Sequence, residues 1–239
     1  SVTVLFKHPP ARQRTVADYR RALVGQLYND MLNQRLTEIS RRADAPFSFA
    51  GSDYGSFVRS TDVYQLSAAA KDGGIIPALE AVLVEARRVD QHGFLASELQ
   101  RARTAILRAY ESAYAERDKS ESANYVEEYV EQFLTGTPSP GIAWEYREVQ
   151  RLLPTVTLDE VNALARTWIG KRNRVVTVAA PAKDSATVPT EGAILAAFRK
   201  ADATTVTAYT ETVSDAPLVG TIPRPGRIVA ESTVTDLGA

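Results

Sequence analysis

One long helical period lies between two stretches of alternating residues, and that order limits the fold more than any other feature of the chain. Thr15-Val-Ala-Asp18 is a capping-box variant, with Asp where Glu or Gln is usual, and it opens a helix. From there Val16, Tyr19, Leu23, Leu27, Met31 and Ile39 recur on one face, widened by Leu32 and Leu36, so the helix should bury a broad stripe. Ahead of it Val2, Val4 and Phe6 alternate with Thr3 and Leu5 until Pro9-Pro10 stops the strand. Beyond it Phe47 and Phe49 alternate with Ser48 and Ala50. "GSDYGS" reads as a turn and "DVYQLSAAAK" as a further strand, which predicts a hairpin or meander over 46–71.

After Gly73 the period becomes helical. "IIPALEAVLVEARRVDQHG" is amphipathic and ends at Gly93, a residue suited to a left-handed cap. Ser97-Glu-Leu-Gln100 reads as a second capping box. Behind it Leu95, Leu99, Ala102, Ile106, Ala109 and Ala113 repeat at spacings of four and three, a narrow small-residue seam that predicts a close neighbour. "ANYVEEYVEQFLTG" predicts another helix, and Ile142–Leu153 a further one before Pro154. Thr157-Leu-Asp-Glu160 caps a last one with Val161, Leu164 and Trp168 on one face, and "NRVVTVAAP" closes as an apolar strand. Strands and helices are grouped rather than alternating. That predicts an α+β fold, an antiparallel or mixed sheet with helices packed on one face. The domain should span residues 1–181. Residues 182–239, with a short helix over 190–201 and a short strand over 205–213, should form a linker and connector toward a following domain.

The charge balance, 28 Lys and Arg against 29 Asp and Glu, provides no field for nucleic acid or an anionic membrane. With no cysteine there is no disulfide frame, thiolate metal site or Cys nucleophile. No apolar run is long enough to span a bilayer. The two histidines, His8 and His92, belong to neither a His-x-x-x-His nor a His-x-x-Glu-His pair, the spacings that put metal ligands on one helical face. Glu121, Glu127, Glu128 and Glu131 cluster on one predicted helix, where Glu127 and Glu131 share a face. They read as solvated surface more readily than as an acid–base pair. Arg35, Arg41 and Arg42 fall toward the end of the first helix, where the dipole alone would favour them.

The order of these pieces resembles a known family. "VTVLFKHP", the helix ending "MLNQRLTEISRRADAPF", the hairpin, "HGFLASELQRAR", "LLPTVTLDEVNALARTWI" and "NRVVTVAAP" together resemble the non-catalytic domain of pitrilysin/insulinase-family zinc metallopeptidases. The resemblance covers about residues 1–181. It implies half-domains that pair into a closed chamber, with zinc held in a catalytic domain by an inverted His-x-x-Glu-His motif on the helix equivalent to residues 15–42 here. That helix contains no histidine in this sequence. The resemblance therefore implies a chain without a zinc site, inactive alone, whose parent supplies zinc, the catalytic and C-terminal domains and the peptide substrate, in a periplasmic setting. The opening residues, which lack a methionine, read as cut from something longer.

Some non-catalytic domains of the family hold substrate with an arginine and a tyrosine seven residues apart. Placing Ile39 at the family's leucine puts Ser40 and Phe47 at the two positions, and sliding by one gives Arg41 and Ser48. Neither register keeps both groups, so Arg41 and Phe47 are the only chamber-facing candidates. A scaffolding module of the same descent, without peptidase activity in the parent, is the alternative. An unrelated enzyme using the Glu121–Glu131 acids or the arginines is a third reading.

Overall fold

The structure is a computed structural model that describes residues 1–71, 74–181, 188–211, 219–221 and 223–231. Among these residues the chain runs β1 (Val2–His8), α1 (Val16–Ser40), β2 (Phe47–Val58), β3 (Thr61–Ala70), α2 (Ile75–His92) and α3 (Ala96–Ala115). It continues through α4 (Ser122–Thr135), α5 (Ile142–Leu152), α6 (Leu158–Trp168), β4 (Arg174–Val178) and α7 (Glu191–Ala203). Two compact units divide it, Ser1–Tyr209 and Thr210–Ala239. The described residues of the second unit form no helix or strand.

The sheet has the order β2-β3-β1-β4 and every pairing is antiparallel. Val4 of β1 sits opposite Leu66 on one side and Val176 on the other, while Phe6 faces Tyr64. Val2, Val4, Phe6, Tyr64, Leu66 and Ala68 are buried in a core shared with α1, α2, α3, α5, α6 and α7. The intervening Thr3, Leu5, Gln65, Ser67, Val175 and Thr177 all keep some exposure, so helices cover one face of the sheet. This is the α+β layering expected from the grouped periods.

Thr15 caps α1 as its spacing requires: its hydroxyl accepts from the Asp18 amide, and Asp18 accepts from the Thr15 amide. Gly25, in the middle of α1, is where the Trp168 indole crosses. A Cβ there would lie 3.0 Å from the ring, so the glycine trades helix propensity for close approach of α6. Gly93 ends α2 at φ +71, and a Cβ on it would meet the Asn162 side chain at 2.6 Å.

Four expectations need correction. "GSDYGS" is not a turn: it lies inside β2, which pairs with β3 along its length, and the reversal occurs at residues 59–60. α3 starts at Ala96, because Glu98 rather than Ser97 organises its entry by accepting from the Leu95 amide at 2.7 Å. Its buried seam stops at Ile106, and Ala109 and Ala113 are exposed. The strand expected at 205–213 is absent over the described 205–211. There the backbone carbonyls are taken by α2 side chains: Arg87 donates to Thr204, His92 Nε2 to Val206 and Arg88 to Thr207. Residues 212–213 lie outside the described residues. Ala197, Phe198 and Ala201 of α7, the short helix expected over 190–201, are buried on the core.

Candidate functional site

The outward strip of α1 carries Gln26, Asn29, Asp30 and Asn33, polar residues three and four apart that share one side of the helix. β2 is an edge strand, and its unpaired backbone groups need partners. Asn33 supplies them at Ser52: its Oδ1 accepts from the Ser52 amide at 2.6 Å and its Nδ2 donates to the Ser52 carbonyl at 3.0 Å. The Ser52 hydroxyl donates in turn to Asn29 at 2.9 Å. These bonds hold the helix against the edge and leave a groove beside them.

That groove has a volume of about 770 Å³ and lies between the first half of α1, β2 and the C-terminal end of α6. One wall is aromatic. Tyr54 stacks on Trp168 at 4.7 Å with the rings 19° apart, and His8 lies 5.8 Å from Tyr54. His8 Nε2 donates to the Trp168 carbonyl at 3.0 Å, which ties the end of β1 to the end of α6. Tyr28 and Tyr64 support the indole from inside at 5.2 and 5.1 Å, and burial raises both phenol pKa values. The opposite wall contains Asn29 and Asp30. A second groove, about 630 Å³, runs between α1 and α3 over Ala102, Ala105, Ile106 and Ala109. Both grooves are lined by Gln26, Asp30 and Asn33, so they adjoin along the same strip of α1. Asp30 is solvent-exposed, yet partial desolvation by the groove lifts its carboxyl to about 6, and no cation or hydrogen-bond donor meets it among the described residues.

The residues singled out in the sequence are not gathered here. Phe47 has no exposed surface and belongs to the core, so it offers nothing to a peptide in this arrangement. Arg41 is exposed at the C-terminal end of α1 and lines neither groove. Of the α4 acids, Glu131 lines the first groove, while Glu128 accepts from Ser139. Helix electrostatics do not explain Arg35. It is 2% exposed, donates twice to Glu98 at 2.7 Å and once to Glu85 at 3.3 Å, and reaches the Gly93 carbonyl at 3.2 Å. Its guanidinium lies between the rings of Phe94 and Tyr209, at 4.9 and 4.2 Å. Arg88 completes the network through Glu85, so two buried carboxylates meet two guanidiniums.

Both histidines have structural partners, because His92 Nε2 donates to the Val206 carbonyl at 2.8 Å. Among the described residues no three His, Asp or Glu side chains converge in a way that could hold a metal. No described helix is long and apolar enough to cross a membrane.

This layering, an antiparallel sheet with helices on one face, is the fold of the insulinase-family proteases. Over 162 residues it is 33% identical to a zinc protease PQQL-like protein of Arabidopsis thaliana, a match covering 68% of this chain and 14% of that protein. The periplasmic protease PqqL of Escherichia coli superposes over 91% of this chain and 24% of its own, with a TM-score of 0.77 at 17% identity. A predicted insulinase family protease from Yersinia pestis superposes over 84% of this chain and 44% of its own, with a TM-score of 0.69 at 10% identity. No family model matches the chain. The chain belongs to the PqqL-like, insulinase-family zinc proteases. It spans about one seventh of the length of the curated relative it matches.

Proposed function

We propose that this chain is a non-catalytic domain of a zinc endopeptidase, and that it walls the chamber in which peptides are held while another part of the protein supplies the zinc. What supports this reading is that no histidine occurs between Thr15 and Arg42, on the helix that the family resemblance equates with the metal-binding one. What α1 presents instead is a polar strip beside two adjoining grooves, a surface suited to holding a chain rather than hydrolysing it. Arg41, exposed at the C-terminal end of α1 outside both grooves, is the sequence candidate whose charge a passing peptide could meet. Deleting residues 1–181 from the full-length protein should abolish peptide cleavage while leaving one zinc per molecule. Full activity without these residues would refute the proposal. A full-length protein that binds no zinc and cleaves nothing would support a scaffolding role instead.

A further inference from the structure

The groove between α1 and β2 has an electrostatic imbalance that the fold does not explain. Five carboxylates line it (Asp18, Asp30, Asp53, Asp62 and Glu131) against two guanidiniums, Arg12 and Arg21. Two of the five are committed. Asp18 pairs with Arg21 and caps α1, and Asp62 accepts from the Ala11 amide at 2.7 Å. Asp30 from α1 and Asp53 from β2 have no cationic or hydrogen-bonding partner among the described residues, although they line the same cavity. Both residues stay open to solvent on one side, and partial desolvation by the groove holds the Asp30 carboxyl up at about 6.

The rest of the groove suits a cation on a long apolar stem. Tyr54 and Trp168 form a stacked aromatic wall, which attracts a cation through its ring faces and packs against methylene groups. An anion would meet unpaired acids, and a wholly apolar side chain would leave Asp30 and Asp53 without a counter-charge. At about 770 Å³ the cavity accommodates a full lysine or arginine side chain. The adjoining groove over the small residues of α3 leaves room for the backbone on either side.

We propose that this groove is a subsite for a basic residue of a bound peptide, whose side chain lies along Tyr54 and Trp168 and whose charge is met by Asp30 and Asp53. The inference rests on the chamber-wall reading and names the class of residue that the wall selects. It assigns Asp30 a binding role, with the chemistry left to the zinc domain.

The test uses the 239-residue chain carrying Trp144→Phe, so that Trp168 is the remaining fluorophore. Three acetylated and amidated alanine pentapeptides with a central lysine, norleucine or glutamate are titrated. The lysine peptide should perturb Trp168 fluorescence and bind about tenfold more tightly than its uncharged norleucine counterpart, with the glutamate peptide weakest. Asp30→Asn should remove most of that preference, and Asp53→Asn part of it, with thermal melts confirming that both variants are folded. Equal affinity for lysine and norleucine, a preference that survives both substitutions, or no binding of any peptide would each overturn the subsite. The chamber-wall reading would still stand or fall separately on the activity and zinc content of the truncated full-length protein.

Discussion

Arg35 shows how much a single residue can do that its position in the sequence does not announce. Its guanidinium binds α1 to Glu98 of α3, Glu85 of α2, the Gly93 carbonyl and the ring of Tyr209. Removing the cation leaves Glu98 and Glu85 buried, with Arg88 still paired to Glu85. Arg35→Met should therefore cost roughly 3–5 kcal/mol in urea denaturation, and adding Glu98→Gln should recover part of the loss. Asp30 works in the opposite direction. Its folded pKa, about 6, lies above the unfolded value of 3.8, so the native state favours the protonated acid. That contribution is complete below pH 3.8 and is lost as the pH rises through 6. Asp30→Asn should then match the parent at pH 4 and exceed it by about 1 kcal/mol at pH 7.5, the open side of the site screening the remainder. Parallel stability curves at the two pH values would contradict this.

At the scale of elements, most of the fold was legible. Thr15 and Thr157 announced α1 and α6 because a cap is a local event, written in residues three apart. β1 followed from alternation, β4 from an apolar run, and α2 from its period and its terminal glycine. Non-local partners were harder to see. β2 carries glycine, serine and aspartate because it is an edge strand held from outside by Asn33, and no local pattern reports that. Arg35 looked like a helix-end cation because Glu85 and Glu98 lie fifty and sixty-three residues away. The Tyr54–Trp168 wall joins residues from a strand and a helix far apart in the chain. The polar strip at Gln26, Asn29, Asp30 and Asn33 is a signal the sequence carries, in polar residues at spacings of three and four.

Two elements allow direct checks. Gly93→Ala should lose about 2 kcal/mol or more, because φ +71 is unfavourable for alanine and the new methyl meets Asn162. Asn162→Ala in the same chain should relieve the steric part alone. α4 buries no residue, and Tyr129, Phe133 and Val126 stand in solvent. Its amides should exchange with deuterium before those of the other long helices, and protection of α4 equal to that of α1 would contradict the exposure seen here.

At the scale of the molecule, a core shared by the sheet and six helices supports one outward strip of α1. That strip borders two adjoining grooves and carries the Asp30 carboxylate. The most direct measurement is the zinc content and peptidase activity of the purified 239-residue chain, dialysed against zinc and then assayed with and without chelator. A non-catalytic domain should retain no stoichiometric zinc and cleave no peptide under either condition. One tightly held zinc per chain, together with cleavage that the chelator abolishes, would contradict the account.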